Sequence, residues 1–193
     1  KNFKLKRNNK NIKKDLTSLL KKKDMVLKSL GNSYKNNYTK KILSKFKKYS
    51  NVRIIGMGGS ILGAKSIYDF LGNKVKKDFY FIDNLQSKIK SNDKKNYLNL
   101  VISKSGSTLE TISNSNIIIK NNKKNIFITE NKKSYLYLFA EKLKAEIIHH
   151  NNFIGGRYSV LSEVGMLPAE LMNLKIHNFK QLNNLIKNKK FIS

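Results

Sequence analysis

Strand-sized apolar runs alternate with helical apolar stripes through residues 52–150. That alternation predicts an α/β protein: a doubly wound, mostly parallel five-stranded sheet flanked by helices and preceded by a helical N-terminal segment. Two of the runs empty directly into glycine- or hydroxyl-rich turns, Gly56–Ser60 and Ser103–Thr108, each followed by a helical pattern. The expected division is a helical appendage over 1–50, a sheet domain over 51–175 and a helical tail over 176–193.

Within 1–50, Leu16, Leu19 and Leu20, then Met25, Leu27 and Leu30, keep helical spacing up to a break at Gly31-Asn32. Tyr38, Ile42 and Phe46 recur every fourth residue and mark a second helix ending near Tyr49. Val52–Gly56 reads as the first strand, and Ile61, Ala64, Tyr68 and Leu71 form the stripe of the helix after it. Phe79–Asp83 is the second strand, broken by Asn84, and the polar stretch Gln86–Tyr97 reads as a short helix. Leu98–Ile102, apolar except for Asn99, reads as a buried third strand. Ser107 stands three residues before Glu110, which is capping-box spacing. A helix is therefore expected from there to about Asn121, with Leu109, Ile112 and Ile119 on one face. Asn125–Thr129 is the fourth strand, Ser134–Leu143 a helix packing Leu136, Phe139, Ala140 and Leu143, and Glu146–His149 the fifth strand. A further helix follows Gly155–Ser162 and should break near Pro168. In the tail, Phe179, Leu182 and Ile186 share one helical face.

A chain of 193 residues is long enough for one substantial domain, and its 39% hydrophobic content, laid out in these runs, excludes a disordered polymer. Without cysteine there is no disulfide, no thiolate catalysis and no thiolate metal site. His149, His150 and His177 have no carboxylate spacing around them that suggests a metal cage, so neither metal nor cofactor is expected. No stretch approaches the ~20 apolar residues of a membrane span, and the charged first residues lack the apolar core of a secretory signal. A cytoplasmic protein without membrane partners is expected. The net charge of +28 by itself suggests nucleic acid or an anionic surface. Yet 37 of the 40 basic residues are lysine, accompanied by asparagine and isoleucine in loops and helices alike, which reads as a bias of the whole coding sequence. Nucleic-acid sites favour arginine forks interleaved with aromatics, so no specific nucleic-acid partner is expected. Lysine at position 1, and an end at Lys189–Ser193 without a helix stop, read as a fragment.

The chemistry concentrates in three turns. In Val101–Thr111 a strand leads through hydroxyls into a helix N-terminus. Unpaired N–H groups, the positive dipole end and the hydroxyls of Ser103, Ser105, Ser107 and Thr108 converge there, and Lys104 adds a full charge. This is either a phosphate site or an ordinary connection built from small residues. The second turn, Gly56-Met57-Gly58-Gly59-Ser60, lets a ligand approach the backbone closely and places Ser60 where the helix begins. Its third glycine comes too early for a dinucleotide fingerprint, and Asp83 is the nearest thing to the expected acid, so NAD binding is not expected. Both turns lie at strand carboxyl ends and are expected to face one site. In the third, Gly155-Gly156 frees the backbone just before Arg157, the one arginine in the second half of the chain. A planar fork there suits a carboxylate, phosphate or enediolate. The alternative is an ion pair with Glu163 or Glu170 on its own helix.

These three blocks resemble the glucose-6-phosphate isomerase family. Ile55-Gly56-Met57-Gly58-Gly59-Ser60-Ile61-Leu62-Gly63 resembles its first glycine-rich loop, and Ser103-Lys104-Ser105-Gly106-Ser107-Thr108-Leu109-Glu110-Thr111 its sugar-phosphate loop. Gly155-Gly156-Arg157-Tyr158-Ser159-Val160-Leu161-Ser162 resembles its G-G-R-[FY]-S-V-x-S signature, the specific part; the middle block alone is shared across sugar-isomerase (SIS) domains. The resemblance covers about residues 50–170. It implies a cytoplasmic enzyme that interconverts glucose 6-phosphate and fructose 6-phosphate without metal, usually as a homodimer. By position, Ser103, Lys104, Ser105 and Thr108 would hold the phosphate. Gly59 and Ser60 would line the sugar site, Gly156 would belong to the substrate-binding set, and Arg157 would stabilise a cis-enediolate. The family's glutamate base and its ring-opening histidine and lysine lie downstream of the G-G-R helix and find no match here. Glu163 stands where the family usually has a small residue, and none of the three histidines is given a role. The resemblance is thus to the N-terminal, first-sheet half, which should bind weakly and not turn over. Two other readings stay open: a free-standing SIS-type phosphosugar isomerase, and a non-enzymatic sugar-phosphate sensor.

Overall fold

The computed structural model describes residues 9–22, 24–85, 96–119 and 124–181. Its centre is a five-stranded sheet, every pairing parallel, built from β1 (Asn51–Gly56), β2 (Asp78–Ile82), β3 (Tyr97–Ile102), β4 (Asn125–Thr129) and β5 (Glu146–His149) in the order β2-β1-β3-β4-β5. The helices are α1 (Asn9–Lys21), α2 (Met25–Ser29), α3 (Lys40–Lys47), α4 (Leu62–Leu71), α5 (Leu109–Ile118), α6 (Tyr135–Lys142) and α7 (Glu163–Leu171). Near-continuous apolar strands are what a parallel sheet covered on both faces requires. Alternation sends Val52, Ile54, Leu100, Ile102, Ile126 and Ile128 to one face, where Phe46 of α3, Ala64 and Ile67 of α4, and Val164 and Leu167 of α7 cover them. Ile55, Val101 and Phe127 point the other way, against Leu136 and Ala140 of α6 and Ile119 beyond α5. Asn99, the polar exception in β3, is buried and donates its amide to Asn125 Oδ1 on β4 at 2.9 Å. No helix among the described residues is long and apolar enough to cross a membrane.

Residues 34–38 strap across α7. The Tyr34 hydroxyl donates to Glu163, the Tyr38 hydroxyl to Glu170 at 2.6 Å, and the Asn37 amide to the His149 carbonyl at the end of β5.

The structure departs from the sequence expectations in three helices and in the tail. The first helical segment ends at Lys21, before Gly31-Asn32, because Asp24 starts a new helix: its carboxylate accepts the Val26 N–H at 2.7 Å. Helix α5 begins at Leu109, not Ser107, and no capping box forms. Thr108 is the N-cap without a side-chain bond to the helix, since its hydroxyl is engaged with Ser103. That start sets the phase of α5, so Leu109 is 68% exposed while Thr111, Asn114 and Ser115 are buried. Helix α7 runs through Pro168 unbroken; its residues from Glu163 to Ala169 are all buried, and that packing outweighs one missing backbone bond. The helix expected over Gln86–Tyr97 lies outside the described residues up to position 95, and Tyr97 opens β3. The tail enters as a 3-10 turn, Ile176–Lys180, with Leu182 and Ile186 outside the described residues.

Gly165 packs α7 against the preceding turn so closely that a Cβ there would lie 2.1 Å from the Val160 carbonyl oxygen. Gly165→Ala should therefore destabilise the fold by about 3 kcal/mol, seen as a lower urea midpoint at an unchanged denaturant slope.

Candidate functional site

The chain leaves β1 for β2 on one side, then crosses back to lay β3 on the other. The strand order therefore reverses between β1 and β3, the place at the carboxyl edge where sheets of this kind put their ligand crevice. Gly56 is the register partner of Ile102, so residues 57–61 and 103–108 leave the sheet side by side.

In the loop after β3, Ser103 and Thr108 hydroxyls lie 3.0 Å apart, and Ser107 donates to Ser105 Oγ at 3.1 Å. Four hydroxyls thus cluster at the start of α5, whose first-turn N–H groups have no acceptor within the helix and no cap from Thr108. Gly106 makes the turn possible. Its φ is +65°, its carbonyl accepts the Leu136 N–H at 3.0 Å, and a Cβ there would meet Ser134 Oγ at 2.0 Å. Lys104 is turned toward the sheet edge: its ammonium donates to the Asn152 carbonyl at 2.8 Å and lies 3.4 Å from Glu130. An ammonium has three donors, so one remains for an anion.

After β1, residues Gly58–Ser60 form a 3-10 turn entered at Gly58 with φ +55°, and Ser60 is half-buried there. The turn sits on a second one, Gly156–Leu161, with no room for a side chain between them. A Cβ on Gly59 would come within 2.2 Å of the Gly156 oxygen. Ser159 ties the two together, donating to Gly156 O at 2.7 Å and approaching Gly59 O at 3.4 Å. Arg157 follows directly. It is exposed and lines an apolar groove of about 700 Å³ beside α4, with Gly59 and Gly156 in the same wall. Pairing with its own helix is ruled out: Glu163 accepts from Tyr34 and Asn151, Glu170 from Tyr38, and Arg157 has no carboxylate partner among the described residues. The structure thus joins Gly59, Gly156 and Arg157 in one group and Ser103, Ser105 and Thr108 in another. They are linked through the adjacent strands β1 and β3, with no direct hydrogen bond between the groups.

The sequence did not reveal a buried polar cluster behind this edge. Glu163, fully buried at the start of α7, accepts the Tyr34 hydroxyl at 2.9 Å and the Asn151 N–H at 2.8 Å, and lies 3.8 Å from His150 Nδ1. Burial, with the Glu163 charge, pushes the Tyr34 hydroxyl well above its ordinary value. Burial holds the His150 imidazole below 6.5 against the opposing pull of the Asn151 carbonyl and Glu163. Lys180, also buried, stands 4.7 Å above the Tyr34 ring and is lowered by burial. The one available signal was a carboxylate opening the otherwise apolar run Val164–Ala169.

A sequence pattern describing phosphoglucose isomerases matches residues 4–191. The chain belongs to the phosphoglucose isomerase family. It is 37% identical over 140 residues to the glucose-6-phosphate isomerase of Methanocaldococcus jannaschii, a match covering 66% of this chain and 34% of that protein. The chain thus spans about a third of the length of the curated relatives it matches. Among solved structures, a hypothetical protein of Thermus thermophilus superposes with a TM-score of 0.66 at 22% identity, over 79% of this chain and 42% of that one. The tagatose-6-phosphate ketose/aldose isomerase of Escherichia coli superposes at 0.56 and 15% identity, over 75% and 45%. At these identities the superpositions speak for a shared SIS-type fold.

The neutral state of His150 links folding to pH. Its folded-state pKa lies below the unfolded 6.5, so near that pH the unfolded chain binds more protons and stability falls with acidity. The melting temperature should drop as pH goes from about 7.5 to about 5.5. His150→Gln should flatten that drop; an unchanged slope would mean His150 does not carry it.

Proposed function

We propose that this chain is the phosphate-gripping portion of an aldose–ketose isomerase that interconverts glucose 6-phosphate and fructose 6-phosphate through a cis-enediolate. The observation that carries this reading is the hydroxyl-rich helix N-terminus at the topological switch point, next to the turn after β1 against which the arginine-bearing turn packs. A phosphate dianion seated on the first-turn N–H groups of α5 receives hydrogen bonds from Ser103, Ser105 and Thr108 and charge from Lys104. Gly59, Ser60 and Gly156 then line the sugar, where backbone without side chains leaves room for its carbons. Arg157 faces the oxygens of C1 and C2 as the proton moves between those carbons. Its fork stabilises the anionic enediolate more than it stabilises the neutral carbonyl compound it came from, which is what lowers the barrier.

Two carboxylates near these loops are committed elsewhere, Glu130 to Lys104 and Glu163 to the buried cluster. The reading therefore assigns the proton-transferring base and the ring-opening groups to other parts of a longer enzyme. Homodimer formation and a place in cytoplasmic sugar metabolism belong to that longer enzyme.

Calorimetry should detect fructose 6-phosphate binding to this chain, with no isomerisation in a coupled assay; turnover by this chain would contradict the reading. Thr108→Ala should weaken that binding roughly tenfold, the loss of one hydrogen bond to a charged group. In a full-length enzyme carrying this segment, Arg157→Ala should lower kcat by roughly 100-fold with little change in KM. An equal loss of affinity and no loss of kcat would place Arg157 on the phosphate instead.

A further inference from the structure

The turn that receives the Lys104 ammonium is itself held by a buried carboxylate. Asn152 supplies the carbonyl at 2.8 Å from Lys104 Nζ. One residue earlier, the Asn151 N–H donates to Glu163 Oε1 at 2.8 Å, across a gap of 12 positions in sequence. Before that, the His150 N–H is fixed to the Thr129 carbonyl at 2.8 Å, and His150 Nδ1 contacts the Asn151 carbonyl at 2.9 Å. The main chain of Lys104 is pinned at the same place: its carbonyl accepts the Glu130 N–H at 3.1 Å and the Thr129 hydroxyl at 3.3 Å. Both ends of Lys104 therefore refer to one frame, the carboxyl ends of β4 and β5 and the start of α7. Glu163 is fully buried, and Tyr34 holds its other oxygen at 2.9 Å, so its position is determined on both sides.

We propose that Glu163 is a positioning residue for the phosphate-binding lysine: by anchoring the 150–152 turn it fixes the carbonyl that aims Lys104. The proposal rests on the reading of residues 103–108 as the phosphate site. Without the carboxylate, the Asn151 N–H loses its acceptor, the turn relaxes, and Lys104 spends binding free energy on ordering its own long side chain. Glutamine can replace glutamate. Its carbonyl accepts from Asn151, and its amide donates to a Tyr34 hydroxyl rotated to act as acceptor.

The test is a double-mutant cycle on this chain, with fructose 6-phosphate affinity read by calorimetry and folding checked by circular dichroism and melting temperature. Lys104→Ala should weaken binding roughly tenfold and Glu163→Leu roughly fivefold, whereas the double variant should lose about tenfold, because the two act through one contact. Glu163→Gln should bind within about twofold of wild type. If Glu163→Leu does not fold, Glu163→Asp, which keeps the charge and shortens the reach, runs the same cycle. Losses that multiply to about fiftyfold in the double variant would make Glu163 an independent structural residue and overturn the proposal. So would a Glu163 variant that binds normally while Lys104→Ala does not. If Lys104→Ala leaves affinity untouched, or the wild type does not bind, the reading of the phosphate loop fails and the proposal falls with it.

Discussion

The site depends on a missing side chain. At Gly59 the turn after β1 lies against the carbonyl of Gly156, and even a single Cβ there would come within 2.2 Å of that oxygen. This contact brings the turn carrying Arg157, about 100 positions further on, onto the turn that follows β1 at the carboxyl edge of the sheet. Gly165 repeats the device one layer behind, letting α7 close on the carbonyl of Val160. The turn after β1 and the turn Gly156–Leu161 are therefore held by backbone against backbone, which leaves the Arg157 side chain available to a ligand.

Electrostatics at the edge are local, despite a chain charge of +28. Exposed lysines are screened within about 10 Å at ordinary salt and discriminate little between anions. The loop after β3 offers directed hydroxyl and amide donors at a helix N-terminus instead, with one lysine whose ammonium is fixed by a carbonyl and a carboxylate. Arginine is rationed in the same sense. Arg53 is buried against the Tyr97 ring, and Arg157 faces the groove beside α4.

Much of this was legible in the sequence because parallel strands buried on both faces leave contiguous apolar runs; β4 and β5 fall where their runs predict. The glycine and hydroxyl turns were legible for the same local reason. Helix α5 was misread at its start: a capping box at Ser107 was expected, and of Leu109, Ile112 and Ile119 only the last two pack against the core. The helix start, set by the Ser103–Thr108 contact, instead turns Leu109 outward and Asn114 in toward the Asn84 carbonyl. Pro168 misled because a breaker rule weighs one backbone bond and ignores the packing around a helix buried on all sides. The buried role of Glu163 was not legible because its partners, Tyr34 and Asn151, are 129 and 12 positions away, and no periodic pattern registers such a pairing.

The most direct test of a phosphate site at the switch point is an amide-resolved NMR titration of this chain with fructose 6-phosphate at physiological salt. The account predicts saturable shifts concentrated at residues 103–111, with smaller ones at 58–60 and 156–157. Shifts scattered over the lysine-rich surface and abolished by moderate salt would contradict it, and would assign the binding to net charge.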